Sequence, residues 1–349
     1  MAGMSAYIKR VSGPAWRRYP VWLVALGVAV AACTADPPPA KAPTSGDAAD
    51  ATDGAGDAGA IDTVSKVDTV VVVDAASDTV TADAGSADGG GDPFVAQLGG
   101  ACAMEKRVGR FEILEDALYG SSVAGNVADR IDALQILVAQ QTEGACTLWQ
   151  RKAAACTPSC TGTQQCVRDQ GCKAFPAPLS TGAVAVTGLV KPVSMQPKGA
   201  NLDYFYTDFD AAPAVVGSHL QLTSGGAAAA ALSLQGIGVP AIELINPNWT
   251  VTKGKPLAVQ WKAQSGPWQI RLALNVDQHG LSPVTVVCDG PDTGTLTLSS
   301  GLVTALLNFG VSGAATATVE RRTADQQNVA QGCVELVVAS RVTAQATAE

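Results

Sequence analysis

Residues 268–275 read Trp268-Gln-Ile270-Arg-Leu272-Ala-Leu274-Asn275. Large apolar residues fall on every second position, with polar or small ones between. A strand points successive side chains to opposite faces, so this period buries one face and leaves the other wet. The same alternation recurs in Leu257-Ala-Val259-Gln-Trp261-Lys262, in Val284-Thr-Val286-Val-Cys288 and in Ala315-Thr-Ala317-Thr-Val319. Further short runs lie at 182–189, 202–207, 218–223, 241–246, 294–299 and 333–339. Turn signals separate them, among them Pro197-Lys-Gly199, Ser224-Gly225-Gly226, Gly236-Ile-Gly238, His279-Gly280 and Asp289-Gly290-Pro291. About ten short strands at such spacing predict an all-β fold, an immunoglobulin-like β-sandwich over residues 179–349. Leu302 to Leu307 reads as one helical turn crossing between sheets.

Upstream of the sandwich, residues 94–155 read as a small β unit. Arg110-Phe111-Glu112-Ile113-Leu114-Glu115 and Ser121 to Val127 are strand candidates, while Ala128 to Gln141 fits a helix as well as a strand. Cys102 and Cys146 bracket this unit and are expected to staple its ends, making a neck below the head. Cys288 and Cys333 are the only cysteines of the sandwich segment and are expected to pair with each other.

Between the two lies a cysteine-rich module, residues 156–178: Cys156-Thr-Pro-Ser-Cys160-Thr-Gly-Thr-Gln-Gln-Cys166-Val-Arg-Asp-Gln-Gly-Cys172. A four-thiolate zinc site wants two close Cys-x₂₋₄-Cys pairs. Cys156 and Cys160 satisfy that spacing, and Cys166 and Cys172 are too far apart in sequence. Disulfides are therefore the favoured chemistry, and no metal or other cofactor is expected. The stretch is similar to EGF-like stubs, a likeness that implies the pairs Cys156–Cys166 and Cys160–Cys172. Each short loop so closed would stabilise the fold by roughly 2–3 kcal/mol.

The N-terminal third reads quite differently. Val21 to Ala32 is an uncharged apolar run preceded by Lys9, Arg10, Arg17 and Arg18. A basic region followed by such a run is an export signal, and the run is short of the about 20 apolar residues that a membrane span needs. Val30-Ala31-Ala32-Cys33 resembles the lipobox of bacterial lipoproteins. That resemblance implies removal of residues 1–32, a diacylglyceryl group on the Cys33 sulfur, and anchoring in the outer membrane of the cell envelope. With Cys33 lipidated, Cys102, Cys146, Cys156, Cys160, Cys166, Cys172, Cys288 and Cys333 form an even set in an oxidising compartment, as disulfides require.

Residues 33–93 read as a disordered linker of Ala, Asp, Thr and Gly, opened by Pro37-Pro38-Pro39. Twelve Asp and two Lys lie between 34 and 93, whereas residues 1–33 carry four Lys/Arg and no acid. Of the net charge of −8, only −2 then belongs to residues 94–349. A nucleic-acid-binding surface would need a basic stripe, and no nucleic-acid partner is expected. Asp68-Thr69-Val70-Val71-Val72-Val73-Asp74 reads as part of a low-complexity Asp-Thr-Val repeat.

Taken together, the lipobox, the acidic linker, the Cys156–Cys172 cluster, Ser180-Thr-Gly-Ala-Val-Ala-Val-Thr-Gly188, Cys288-Asp-Gly-Pro-Asp-Thr-Gly294 and Gly332-Cys333-Val resemble a family of uncharacterised surface lipoproteins of large-genome gliding soil bacteria. The resemblance implies a location and an architecture, with no established activity. Pro247-Asn-Trp249-Thr-Val-Thr-Lys-Gly254 with Val259-Gln-Trp261 is also similar to the opening of fungal wall-associated Ser/Thr-rich β-sandwich domains.

Few residues suggest chemistry. Asp292-Thr293-Gly294 spells the aspartic-protease triplet, but that reaction needs two carboxylates sharing a proton, and the chain has one such triplet. His219 and His279 neighbour no recognisable nucleophile motif. Asp203, Asp208 and Asp210 would offer oxygens to Ca²⁺, or simply flank an edge strand. Aromatic side chains are the better candidates: Tyr204, Tyr206 and Trp249, the last in an Asn-Pro-Asn turn where exposure is expected. The reading that results is a non-catalytic envelope lipoprotein, held to the membrane by its lipid, whose head binds an envelope polysaccharide or a protein. A hydrolase of extracellular polymers and a scaffold for a membrane complex are the alternatives.

Overall fold

A computed structural model of the chain describes residues 94–152, 154–276, 284–311 and 315–349. The export signal, Cys33, the acidic linker and His279 lie outside them. The first strands are β1 (Arg107–Asp116), β2 (Gly120–Val127), β3 (Leu137–Glu143) and β4 (Cys146–Arg151). A small hairpin follows, β5 (Gln164–Val167) and β6 (Gly171–Ala174). Next come β7 (Val184–Thr187), β8 (Val193–Met195), β9 (Tyr204–Tyr206), β10 (His219–Ser224) and β11 (Leu232–Ile237). The remainder comprises β12 (Asn248–Val251), β13 (Leu257–Gln260), β14 (Gln269–Asn275), β15 (Val284–Pro291), β16 (Thr295–Leu298), helix α1 (Ser300–Asn308), β17 (Ala315–Val329) and β18 (Gly332–Ala348).

The all-β expectation holds. One ten-stranded sheet, ordered β3-β4-β15-β14-β17-β18-β1-β2-β9 with β12 also on β18, is the base of the fold. Two covers pack on one face of it. The four-stranded sheet β11-β10-β7-β8 lies over β1, β2 and one end of β18, burying Phe111, Ile113, Leu336 and Val338 against Val184, Val186, Leu220 and Leu222. The pair β13-β16 and α1 lie over β4, β15, β14 and the start of β17, with β12 continuing the large sheet beside β18. There Ile270, Leu272 and Leu274 meet Trp261, Leu298, Leu302 and Leu306. Helix α1 extends the single turn expected at 302–307, and the Ser299 hydroxyl accepts from Leu302 N at its start.

The layout departs from an immunoglobulin sandwich, whose two sheets are antiparallel. Here β1 and β12 both run parallel to β18. Residues 94–155 do not form a separate neck: β1 and β2 extend the sheet on one side of the β17–β18 hairpin, and β4 pairs with β15 on the other. Two expected disulfides change partners as a result. Antiparallel pairing sets Cys146 directly opposite Cys288, Cα to Cα 4.0 Å, and these two are bonded. Cys333 N donates to Lys106 O, and Cys102 is bonded to Cys333 beside it. The staples thus join the front of the domain to its back, not the ends of each segment. In the module the bonds are Cys156–Cys166 and Cys160–Cys172, as expected.

Between the two covers runs a polar seam. Arg321, Ser340 and Glu115 lie in one row across β17, β18 and β1. The first two hold the strap that leads from β11 to β12, and Glu115 hydrogen-bonds Ser340. Arg321 Nη1 donates to Pro240 O and Ala241 O at 3.2 and 2.7 Å, and Ser340 Oγ accepts from Ile242 N. Fully buried Arg321 also donates through Nε to Asp292 Oδ2 at 2.7 Å and through Nη2 to Lys262 O.

A second device closes the open side of β17. Beyond Arg322 it has no β14 partner, and β11 crosses there instead. Ser233 N, Gln235 N and Ile237 N donate to Gln327, Asp325 and Thr323 side chains respectively. Two alternating rows, one of backbone and one of side chains, replace a sheet ladder and satisfy donors that would otherwise be orphaned.

Candidate functional site

The far face of the large sheet is charged. Arg271 and Arg322 both pair with Asp289, Arg341 bridges Glu320 and Glu112, and Arg107 and Arg110 meet Glu335. Alternation places these side chains on the face opposite the apolar row of their strands, except Arg107, which lies before a register shift at the start of β1. Burial works to raise the Asp289 carboxyl pKa, but the Arg271 hydrogen bond and the two guanidinium charges outweigh it and hold it below the ordinary value.

At the β1-β2-β9 end of that face the charged lattice opens into a groove of about 940 Å³. Arg110, Ala124, Asn126 and Phe205 are among its lining residues, supplied by the adjoining strands β1, β2 and β9. Other lining comes from the 3₁₀ turn Ala133–Gln135 and from Phe175 to Pro178, the exit of the cysteine-rich module. Local chemistry fixes these pieces. Asp132 caps the turn by accepting from Leu134 N. Buried Gln165 clamps it to the module: its Oε1 accepts from Ala133 N and its Nε2 donates to Ile131 O. Leu179 N donates to Val127 O, which ties the module's exit to β2.

Every arginine at the groove has a carboxylate partner. Arg107 pairs with Glu335 at 2.9 Å, Arg110 with Glu112 at 2.8 Å, and Arg130 with Asp129 at 2.6 Å. The Arg130 hydrogen bond holds Asp129 below the usual carboxylate range. Two phenyl rings remain open to solvent, Phe205 at 56% and Phe175 at 44% exposure.

The expected aromatic candidates are redistributed. Tyr204 is a core residue: its ring meets Phe111, centroids 5.5 Å apart, and its hydroxyl accepts from Thr181 N and donates to Gly182 O. The Phe111 ring sits where Gly125 has no side chain, since a Cβ there would lie 2.2 Å from it. Trp249 is buried, not exposed, because Asn248–Val251 is a strand that turns Trp249 and Val251 inward. Its Nε1 donates to Asn246 O. Tyr206 is half-buried against Phe209, with Lys191 over its ring. Phe205, between the two tyrosines, is the ring that reaches the groove. Strand alternation across Tyr204-Phe-Tyr206 carried that signal, and the choice of face was the error. Phe175, in irregular chain, had no signal of this kind.

Asp292 is committed elsewhere: besides Arg321, it accepts from Trp261 Nε1 at 2.6 Å and from Gln264 N. Both of its oxygens are thus taken up in holding the frame together. His219 stacks on Phe94, rings 4.0 Å apart. Asp203 accepts a long bond from Asn126, and Asp208 pairs with Lys191. Among the described residues, the one group of three or more potential metal-ligand atoms is Cys156, Cys160 and Cys172, whose sulfurs are in disulfides.

No protein-family model matches the chain, and no curated protein matches it in sequence.

Proposed function

We propose that this chain is a non-catalytic lipoprotein of the outer envelope, tethered through lipid on Cys33 and residues 33–93, whose β head is a ligand-binding module. The observation that carries the reading is the groove over β1, β2 and β9. It pairs two exposed rings with polar groups on a rigid, disulfide-stapled frame, the composition of a recognition site. The leader-like stretch with Cys33 at its end supports the anchor. The complete pairing of the eight later cysteines supports an oxidising location.

Two measurements test this. Labelled palmitate should enter the wild-type chain in its host and not Cys33→Ala. The oxidised full chain, mixed with isolated envelope material, should be retained without releasing soluble product. Product release would overturn the non-catalytic reading, and failure of retention would overturn the binding reading.

A further inference from the structure

Resting on that reading, we infer that the groove binds a neutral glycan chain. Its charge decides against polyanions. The arginines at the groove are each matched by a carboxylate within 3 Å, leaving no cationic excess to attract phosphate, sulfate or uronate. Nucleic acid is excluded on the same ground, because its affinity comes from unpaired Lys and Arg on phosphates.

What the groove offers instead suits a sugar. A pyranose ring has one face of axial C–H bonds and an equatorial rim of hydroxyls. The C–H face packs on an open aromatic ring, and Phe205 and Phe175 are such rings. Hydroxyls, which both donate and accept, pair with planar amides and carboxylates. Asn126, Asn201, Asp203 and Gln135 line the groove with that set. The ion pairs Arg110–Glu112 and Arg107–Glu335 keep the guanidiniums engaged.

The test is calorimetric titration of the oxidised full chain with cellohexaose, xylohexaose and maltohexaose, beside oligogalacturonate and an unstructured peptide. At least one neutral hexasaccharide should bind, with affinity unchanged between 50 and 500 mM salt, values at which a charge-driven site would weaken markedly. Phe205→Ala and Phe175→Ala should each weaken it at least tenfold, and Phe205→Tyr should restore it. Unchanged thermal unfolding of these surface variants separates lost stacking from lost fold. Salt-sensitive binding of oligogalacturonate alone, or of the peptide alone, would overturn the neutral-glycan assignment and leave the binding-module reading standing. So would retention on envelope material with no hexasaccharide bound. No binding by any probe together with no envelope retention would overturn both.

Discussion

Arg321 Nε and Asp292 Oδ2 lie 2.7 Å apart, both side chains almost wholly buried, at the seam between the two covers of the large sheet. The guanidinium uses its fork to reach three segments at once: the strap at 240–241, Lys262 after β13, and Asp292 after β15. The pair is thus the joint through which otherwise separate apolar clusters share one frame. Arg321→Ala leaves the Asp292 charge buried and uncompensated, so unfolding stability should fall by about 3–5 kcal/mol. Arg321→Lys keeps the charge without the fork and should recover only part of that loss. Urea midpoints of the three chains check both statements.

Gly125 is required by the Phe111 ring above it. A Cβ at this position would meet Phe111 at 2.2 Å, and Phe111 is fully enclosed with no room to retreat. Gly125→Ala should cost about 1–3 kcal/mol through overpacking. Thermal unfolding measures it, and Asn126→Ala next to it on the exposed face should leave stability nearly unchanged.

The side-chain row that closes β11 makes a further prediction. Asp325 Oδ2 accepts from Gln235 N and its Oδ1 from Gly99 N. Asp325→Ala strands both donors, at about 1–3 kcal/mol for each one left buried. Hydrogen exchange at Gln235 should accelerate sharply, while exchange in β14 stays slow.

Non-reducing peptide maps should show Cys102 joined to Cys333 and Cys146 joined to Cys288. The separations of 231 and 142 residues make these the long-loop bonds of the domain. In the chain-entropy account each constrains the unfolded state by about 5 kcal/mol. Replacing Cys146 and Cys288 together by Ala should therefore destabilise far more than the same change at Cys156 and Cys166.

Glu115 gives a pH signature. Burial raises its pKa, and the Ser340 hydrogen bond opposes that only in part. A carboxyl raised in the fold supplies stability below its ordinary value of about 4.3 and loses it as pH climbs through the folded value. Glu115→Gln should thus be more stable than wild type at pH 7, and the advantage should vanish at about pH 4 and below. Denaturant midpoints against pH decide it; an advantage that persists into acid would refute the assignment.

Much of the fold was legible where alternation was clean. The runs at 257–260, 269–275 and 284–288 are strands with the faces their residues dictate. Of the β17–β18 hairpin only the runs 315–319 and 333–339 were legible, because Glu320-Arg-Arg-Thr-Ala-Asp-Gln-Gln327 carries no apolar alternation. In the fold those residues are strand, their charges matched across neighbouring strands or spent on Asp292 and on β11. Pairing partners so distant in sequence leave no local trace, and for this reason the sequence points Cys102 and Cys288 to cysteines of their own segments instead of to Cys333 and Cys146. The groove was illegible for the same reason: it exists only once the module's exit and the turn at 133–135 are brought against β2.

The place of β18 in chain order has a consequence for how the domain is made. It is the partner of β1, β12 and β17, yet it follows all of them in the chain. A chain emerging from its N-terminus presents every other described strand before the one that gathers them. β1 waits with an unpaired edge through more than two hundred residues of emerging chain, and its parallel register is set only when Gly332–Ala348 arrives. Such long-range closure is slow. Completion of the chain and completion of the fold are therefore consecutive events for this domain, and a chain cut short before residue 332 loses its central strand, not merely one edge.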